Sequence, residues 1–197
     1  MKKPETSRLI KLFKPEVSVR ILCQVALLIA LAFVLERQFA IVNLPEMRIS
    51  FSFIPMMVCG MLFGPVWGGI AYGLADILGW PMMIGAPVPL ILVSRIVNGF
   101  LFGLFLYREN LKMWPHSVLN SLSTQIICAM GLTTLGLALV RGAPYIPLLI
   151  TRLPQVAIFI VLQIVIFPVL LKVRDALRKA GHITLNRNSI FKRVNRG

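Results

Sequence analysis

The sequence predicts an all-α membrane protein, a compact bundle of six transmembrane helices with both termini in the cytoplasm. Three observations carry that prediction. Composition is the first: of 197 residues, 57% are hydrophobic and 14% charged, against about one quarter charged in an average soluble domain. A 22.0 kDa soluble globule has too little interior to bury that much apolar surface. The second is the placement of charge. The formal net charge is +14, with Lys2, Lys3, Arg8, Lys11, Lys14 and Arg20 before the first apolar run. Lys172, Arg174, Arg178, Lys179, Arg187, Lys192, Arg193 and Arg196 follow the last. Basic residues collect on cytoplasmic flanks and are drawn to anionic headgroups there, so the distribution points to a membrane and away from nucleic acid. The third is the number of apolar runs. Six crossings put both ends on one side, in agreement with the charge, although two short runs leave five possible.

Residues 1–17 read as a basic cytoplasmic segment, 18–175 as the membrane domain and 176–197 as a basic cytoplasmic tail. The start is basic and then apolar, as in a signal peptide. Further apolar runs follow, so the first run, about Ser18 to Glu36, reads as a retained span of a length suited to the hydrocarbon core. A loop from Arg37 to Ser50 contains the breaker Pro45. From Ile49 to Ser94 only Asp76 is charged, and the stretch is too long for one helix. Gly64-Pro65 divides it into about Phe51–Phe63 and Trp67–Trp80. Pro81 to Val88 is irregular, and a span from Pro89 to Tyr107 carries Arg95. Arg108–Pro115 is a polar loop, His116–Val140 a long span and Arg141–Thr151 a loop with Pro144 and Pro147. The last span runs from about Leu153 to Leu171.

Alternation places the Arg37–Ser50, Pro81–Val88 and Arg141–Thr151 loops outside. External loops should be poor in Lys and Arg, yet these and their edges hold Arg37, Arg48, Arg141 and Arg152. Alongside them stand Phe39, Asn43, Phe51, Trp80 and Gln155. Arg with aromatic groups suits a planar ligand bearing carboxylates, through stacking and bidentate hydrogen bonds. An interfacial aromatic belt with surface charges is the plainer alternative.

Within the membrane, Asp76 is a lone acid. Ionised and unpaired in lipid it would cost several kcal/mol, so it faces protein or water, or is protonated. Either it is structural, hydrogen-bonded at a helix end or paired with an Arg, or it is an ion or proton site. Arg95 is the base deepest in a span and stays charged. It pairs with Asp76, or its fork of donors holds an anionic or acceptor-rich ligand, with Ser94 and Asn98 on adjacent turns adding neutral contacts. Small residues recur four apart at Gly60/Gly64, Gly69/Gly73, Gly99/Gly103 and Ala26/Ala30. This spacing lets helix backbones approach. For the glycines it implies packing inside the bundle. Ala26 and Ala30 equally suit a partner subunit.

Cys23, Cys59 and Cys128 form no CxxC pair and read as buried small hydrophobes. His116 and His182 offer no metal spacing, so neither a metal nor a cofactor is expected. There is no GxxxxGK[ST] phosphate loop, no HExxH and no GxSxG.

Several stretches together resemble the substrate-binding subunits (S components) of energy-coupling-factor (ECF) vitamin transporters, the folate-specific group most. They are Leu35-Glu36-Arg37, Pro45-Glu46-Met47-Arg48-Ile49-Ser50-Phe51 with Phe53 and Pro55, Gly64-Pro65 with Gly68-Gly69, Gly73 with Asp76 and Gly79, and the run Gly99 to Tyr107. The resemblance spans roughly residues 18 to 175. It implies a six-helix bundle that binds folate from outside. It also implies docking on a transmembrane scaffold subunit and two ATPases, which would hydrolyse the ATP. Ala26 and Ala30 would meet the scaffold, and Arg37, Arg48, Phe51, Arg95 and Arg152 would lie near the ligand. Gly85-Ala86-Pro87-Val88-Pro89-Leu90 stands where the folate group has an aromatic Pro-Gly-Phe stretch, and Asn98 where an Arg is frequent. These departures keep open another flat ligand, such as a pterin, flavin or deazapurine precursor. A small integral membrane enzyme built on Asp76 and Arg95 is the alternative of another class.

Overall fold

The computed structural model describes residues 17–38, 42–43, 48–82, 88–107, 113–142 and 144–179. Helix α1 spans Val19–Gln38, about 30 Å at 1.5 Å per residue. Val25, Ile29, Ala32 and Glu36 bury one face of it, while Val19, Leu22, Leu27, Leu31 and Val34 are exposed on the rest. Two short strands follow, β1 (Val42–Asn43) and β2 (Arg48–Ile49), antiparallel with Val42 opposite Ile49. They pair backbone groups within the first connection.

Helices α2 (Phe53–Phe63) and α3 (Pro65–Gly79) are divided by Gly64 alone. Gly64 has φ 91°, a conformation open to glycine at little cost. Pro65 occupies the first turn of α3, where its missing N–H is harmless. The chain reverses there: a Cβ placed on Gly68 would lie 3.2 Å from the Gly60 Cα. The expected break at Gly64-Pro65 is confirmed, with α3 starting two residues before Trp67. A 3-10 turn, Trp80–Met82, leads on to helix α4, Pro89–Leu106.

The next column is continuous but changes pitch. Helix α5 (Met113–Ser123) passes into a π-helical segment, Thr124–Thr133, and then into α6 (Thr134–Arg141). It begins three residues before the expected His116. Gly142, at φ 63°, ends it in the left-handed conformation that commonly closes helices. Helix α7 runs from Tyr145 to Lys179 with Pro154 and Pro168 inside it. The expected Arg141–Thr151 loop is therefore mostly helical. Pro147 falls in the first turn of α7, where proline is tolerated. The last helix also extends eight residues past Leu171 and takes in the start of the expected tail. Residues 180–197 lie outside the described residues.

Six helical columns result. Among the described residues, four windows are long and apolar enough to cross a membrane: Val19–Glu36, Pro89–Leu106, Ser117–Val140 and Tyr145–Arg174. With α2 and α3 they form a multi-pass membrane bundle. Its densest part lies where α2, α3 and α4 meet. A methyl on Gly60 would stand 2.7 Å from the Gly103 nitrogen, one on Gly99 would run into the Gly68 carbonyl, and one on Gly103 into the Pro65 backbone. The glycine spacing is packing inside the bundle. Tyr72 stacks on Phe102 beside Met56, Met57, Ala71, Leu106 and Phe167. Cys59 and Cys128 are buried as expected, but Cys23 is exposed, because it lies on the face of α1 opposite Val25.

Candidate functional site

The connections 39–52 and 83–88, with the α6–α7 turn, join the column ends at one end of the bundle. Alternation of the six columns puts Val19 and Lys179 at the other. A cavity of about 120 Å³ opens between α4, the π segment and α7 toward the connected end. Ser94, Arg95 and Asn98 line it from α4, and Gln125, Cys128, Ala129 and Thr133 from the π segment. Helix α7 contributes Arg152, Gln155, Val156, Phe159 and Gln163. Ser50 and Ser52, whose hydroxyls lie 3.1 Å apart, approach with Phe53 and Tyr72.

Arg95 is the most constrained of these residues. Its Nη1 donates to the Tyr72 hydroxyl at 2.8 Å and its Nη2 to Glu36 Oε1 at 3.2 Å. Its Nε lies 3.6 Å from Asp76 Oδ1. Asp76 and Glu36 are 4% and 8% exposed. One cation thus sits between two buried carboxylates and ties α1, α3 and α4 together. Asp76 is paired with Arg95, the contact that the structural reading of this acid calls for. The fork is also largely committed to protein, so it cannot grip a ligand carboxylate in the bidentate manner without releasing an acid.

The π segment explains the opposite wall. A π turn bonds i to i+5 and widens the helix locally, which is frequent at functional sites. Here Thr134 Oγ1 donates to the Ala129 carbonyl at 2.8 Å. Ser94 Oγ donates to the Cys128 carbonyl at 2.9 Å and lies 2.8 Å from Thr133 Oγ1. Tyr145 donates to the Met130 carbonyl at 2.8 Å. Side chains from three columns hold the widened turn open. Phe53 and Phe159 meet edge to face at 5.7 Å on the far side. Asn98 Oδ1 is buried without a hydrogen-bond partner among the described residues, an acceptor facing the cavity.

Ser94, Arg95, Asn98, Arg152 and Gln155 are therefore brought together around one cavity. Phe51 is half-buried against the core, and Trp80, in the 3-10 turn, is outside the lining. The backbone of Arg48 lies in β2, but its side chain, the side chain of Arg37, and Phe39 lie outside the described residues. Glu36, Tyr72, Gln125, Thr133 and Gln163 were not expected. Apart from Glu36, which closes the first span, their signal is that of Asp76: polar groups in apolar spans face protein or a cavity. Ala26 and Ala30 are exposed on α1. Among the described residues, no group of three or more His, Cys, Asp or Glu is placed to hold a metal.

A bundle of six helical columns with a polar, arginine-bearing chamber near one end defines a membrane protein built to hold a small solute. The chain belongs to the ECF transporter substrate-specific component family, whose model matches residues 20–171. It is similar to the folate transporter FolT of Clostridium novyi (strain NT), 32% identical over 143 residues, covering 71% of this chain and 81% of that protein. A FolT from Streptococcus mutans is 29% identical, covering 66% and 74%. Among solved structures, FolT bound with folic acid superposes with a TM-score of 0.67 at 29% identity, covering 75% of this chain and 90% of that one. The S component for biotin from an ECF-type ABC transporter shares the fold, with a TM-score of 0.61 at 21% identity over 78% and 92%. The protein is a multi-pass transport component of the cell membrane.

Proposed function

We propose that this chain captures folate from outside the cell and delivers it by docking on an ECF scaffold subunit with two ATPases. The observation that carries the reading is the chamber itself. Asn98, Gln125 and Gln163 offer neutral donors and acceptors of the kind a pterin edge requires. Arg152 supplies a cation for a carboxylate, and Arg37, at the end of α1, and Arg48, in β2, are candidates for a second. The similarity to FolT, including the folic-acid-bound structure, supports folate over other flat solutes. Sites for drug-sized ligands run to about 300–1,000 Å³, so the enclosed 120 Å³ takes one end of the molecule. The rest extends toward Ser50 and Ser52. Both termini are cytoplasmic, as their basic flanks indicate, which turns the chamber outward.

The exposed face of α1 is the docking surface. Ala26 and Ala30 let a partner helix approach closely, flanked by Leu22, Leu27 and Leu31 at 54%, 70% and 48% exposure. Enlarging both alanines to Leu should abolish uptake in cells that express the scaffold and ATPases, while the purified subunit still binds folate. Loss of binding as well would place these residues in the bundle's own packing. The ligand is tested by thermal shift of the purified protein with folate, other pterins, riboflavin and biotin. Folate should give the largest stabilisation, and a larger shift with another compound would replace it.

A further inference from the structure

The cavity lining holds two arginines, Arg95 on α4 and Arg152 on α7, and no acid. By that inventory alone, either wall should attract a carboxylate. The α4 wall is modified from behind. The side chains of Glu36 and Asp76 are 11% and 3% exposed and lie outside the lining, whereas that of Arg95 is 26% exposed. A ligand therefore meets the guanidinium and not the acids beside it. Glu36 reaches this place from α1. It ends the buried face that Val25, Ile29 and Ala32 begin, at the three- and four-residue spacing of one helix face.

A carboxylate arriving at Arg95 would be a third acidic group around one cation, and like charges at a desolvated site repel strongly. It would also have to displace Glu36 from Nη2, since Nη1 is directed at Tyr72 and Nε faces Asp76. A neutral acceptor meets neither obstacle. Each terminal nitrogen of Arg95 keeps a second N–H. Tyr72, which accepts from Arg95 and lines the cavity, has its own hydroxyl proton to give. Asn98 lies three residues on from Arg95, along the same helix face. Its Oδ1 is an acceptor without a partner among the described residues. Donors beside an acceptor match a ring edge in which a carbonyl adjoins an N–H, the lactam edge of a pterin.

We propose that Glu36 sets the specificity of this wall through Arg95. By holding the guanidinium it reserves α4 for the neutral ring of the ligand and directs the carboxylates toward Arg152. Glu36 is thus a positioning residue that touches no ligand itself. The inference rests on the reading of the chain as a folate-capturing subunit, and adds which way round the ligand lies.

Two fragments of folate test it by displacing labelled folate from the purified protein. Pterin carries the ring without a carboxylate, and p-aminobenzoyl-glutamate the carboxylates without the ring. Glu36→Gln keeps the size of the side chain and an acceptor for Nη2 but removes the negative charge. The ratio of the two half-displacing concentrations should move about tenfold in favour of p-aminobenzoyl-glutamate, the scale of one charge-assisted hydrogen bond gained. A merely loosened fold would weaken both fragments together and leave the ratio where it was. An unmoved ratio in the folded variant, or one that moves toward pterin, overturns the proposal. Should Glu36→Gln fail to fold, Asp76→Asn removes the other carboxylate from the same guanidinium and should move the ratio in the same direction; an unmoved ratio there overturns the proposal equally. If the unaltered protein binds no folate, it is the functional reading that fails, and this inference with it.

Discussion

The two sides of the bundle are built by different rules. On one side α2, α3 and α4 touch backbone to backbone through Gly60, Gly68, Gly99 and Gly103, with no room for even a methyl. On the other, the α5–α6 column and α7 meet through hydroxyls and amides across a π turn, with prolines inside α7. The first side cannot rearrange without breaking close contacts, since packed cores are bistable rather than deformable. The second holds alternatives in its hydrogen bonding. The chamber lies on the boundary between them: α4 is its rigid wall, and the π segment with α7 its adaptable one. A binding protein that must also release its ligand profits from such a division.

Arg95 sits on that boundary and should give the largest effect. Arg95→Ala leaves Glu36 and Asp76 buried without their cation, and removing one member of a buried ion cluster costs about 3–5 kcal/mol. Thermal unfolding in detergent should show the loss, and an unchanged melting temperature would mean that the acids are otherwise satisfied. Gly103→Ala comes next. The added methyl meets the Pro65 backbone, which cannot give way as a flexible side chain does, and overpacking of that kind costs about 1–3 kcal/mol. Ser94→Ala, at the boundary, removes bonds to the Cys128 carbonyl and the Thr133 hydroxyl and should cost about 1 kcal/mol. The smallest effect is Gly131→Ala. Its nearest neighbour would be the Ile126 carbonyl at 3.5 Å, so the protein should tolerate it or gain up to about 0.5 kcal/mol, because glycine is a poor helix former. The same chemical change thus has opposite sign on the two sides. Equal losses at Gly103 and Gly131 would erase the distinction.

The rigid side was the more legible in the sequence. Small residues four apart and the Gly64-Pro65 break are local signals with one physical meaning each, and both identify the close contacts found. The pairing of Asp76 with Arg95 was also open to inference, because a lone acid and a lone base within lipid must find partners. Glu36 was not, since it closes the first span beside Arg37 and reads as an interfacial charge. The adaptable side was harder. Nothing in Thr124–Thr133 distinguishes a π turn from an α turn, because the choice is made by Ser94 and Tyr145 on other columns. Pro144 and Pro147 suggest a loop, although a proline in a first turn is compatible with a helix start. Gln125 and Gln163 carry the same signal as Asp76 without its charge, and only the fold places them across one cavity.

The central claim is that folate is held between α4, the π segment and α7, with Arg152 on a carboxylate. Calorimetric titration of folate into the purified protein, unaltered and as Arg152→Met, tests it most directly. The substitution keeps most of the side chain's apolar volume and removes its charge, and a lost charge-assisted hydrogen bond is worth about 1.5–3 kcal/mol. The account predicts tight binding by the unaltered chain and affinity at least about tenfold weaker in the folded variant. Equal affinity in both would contradict it.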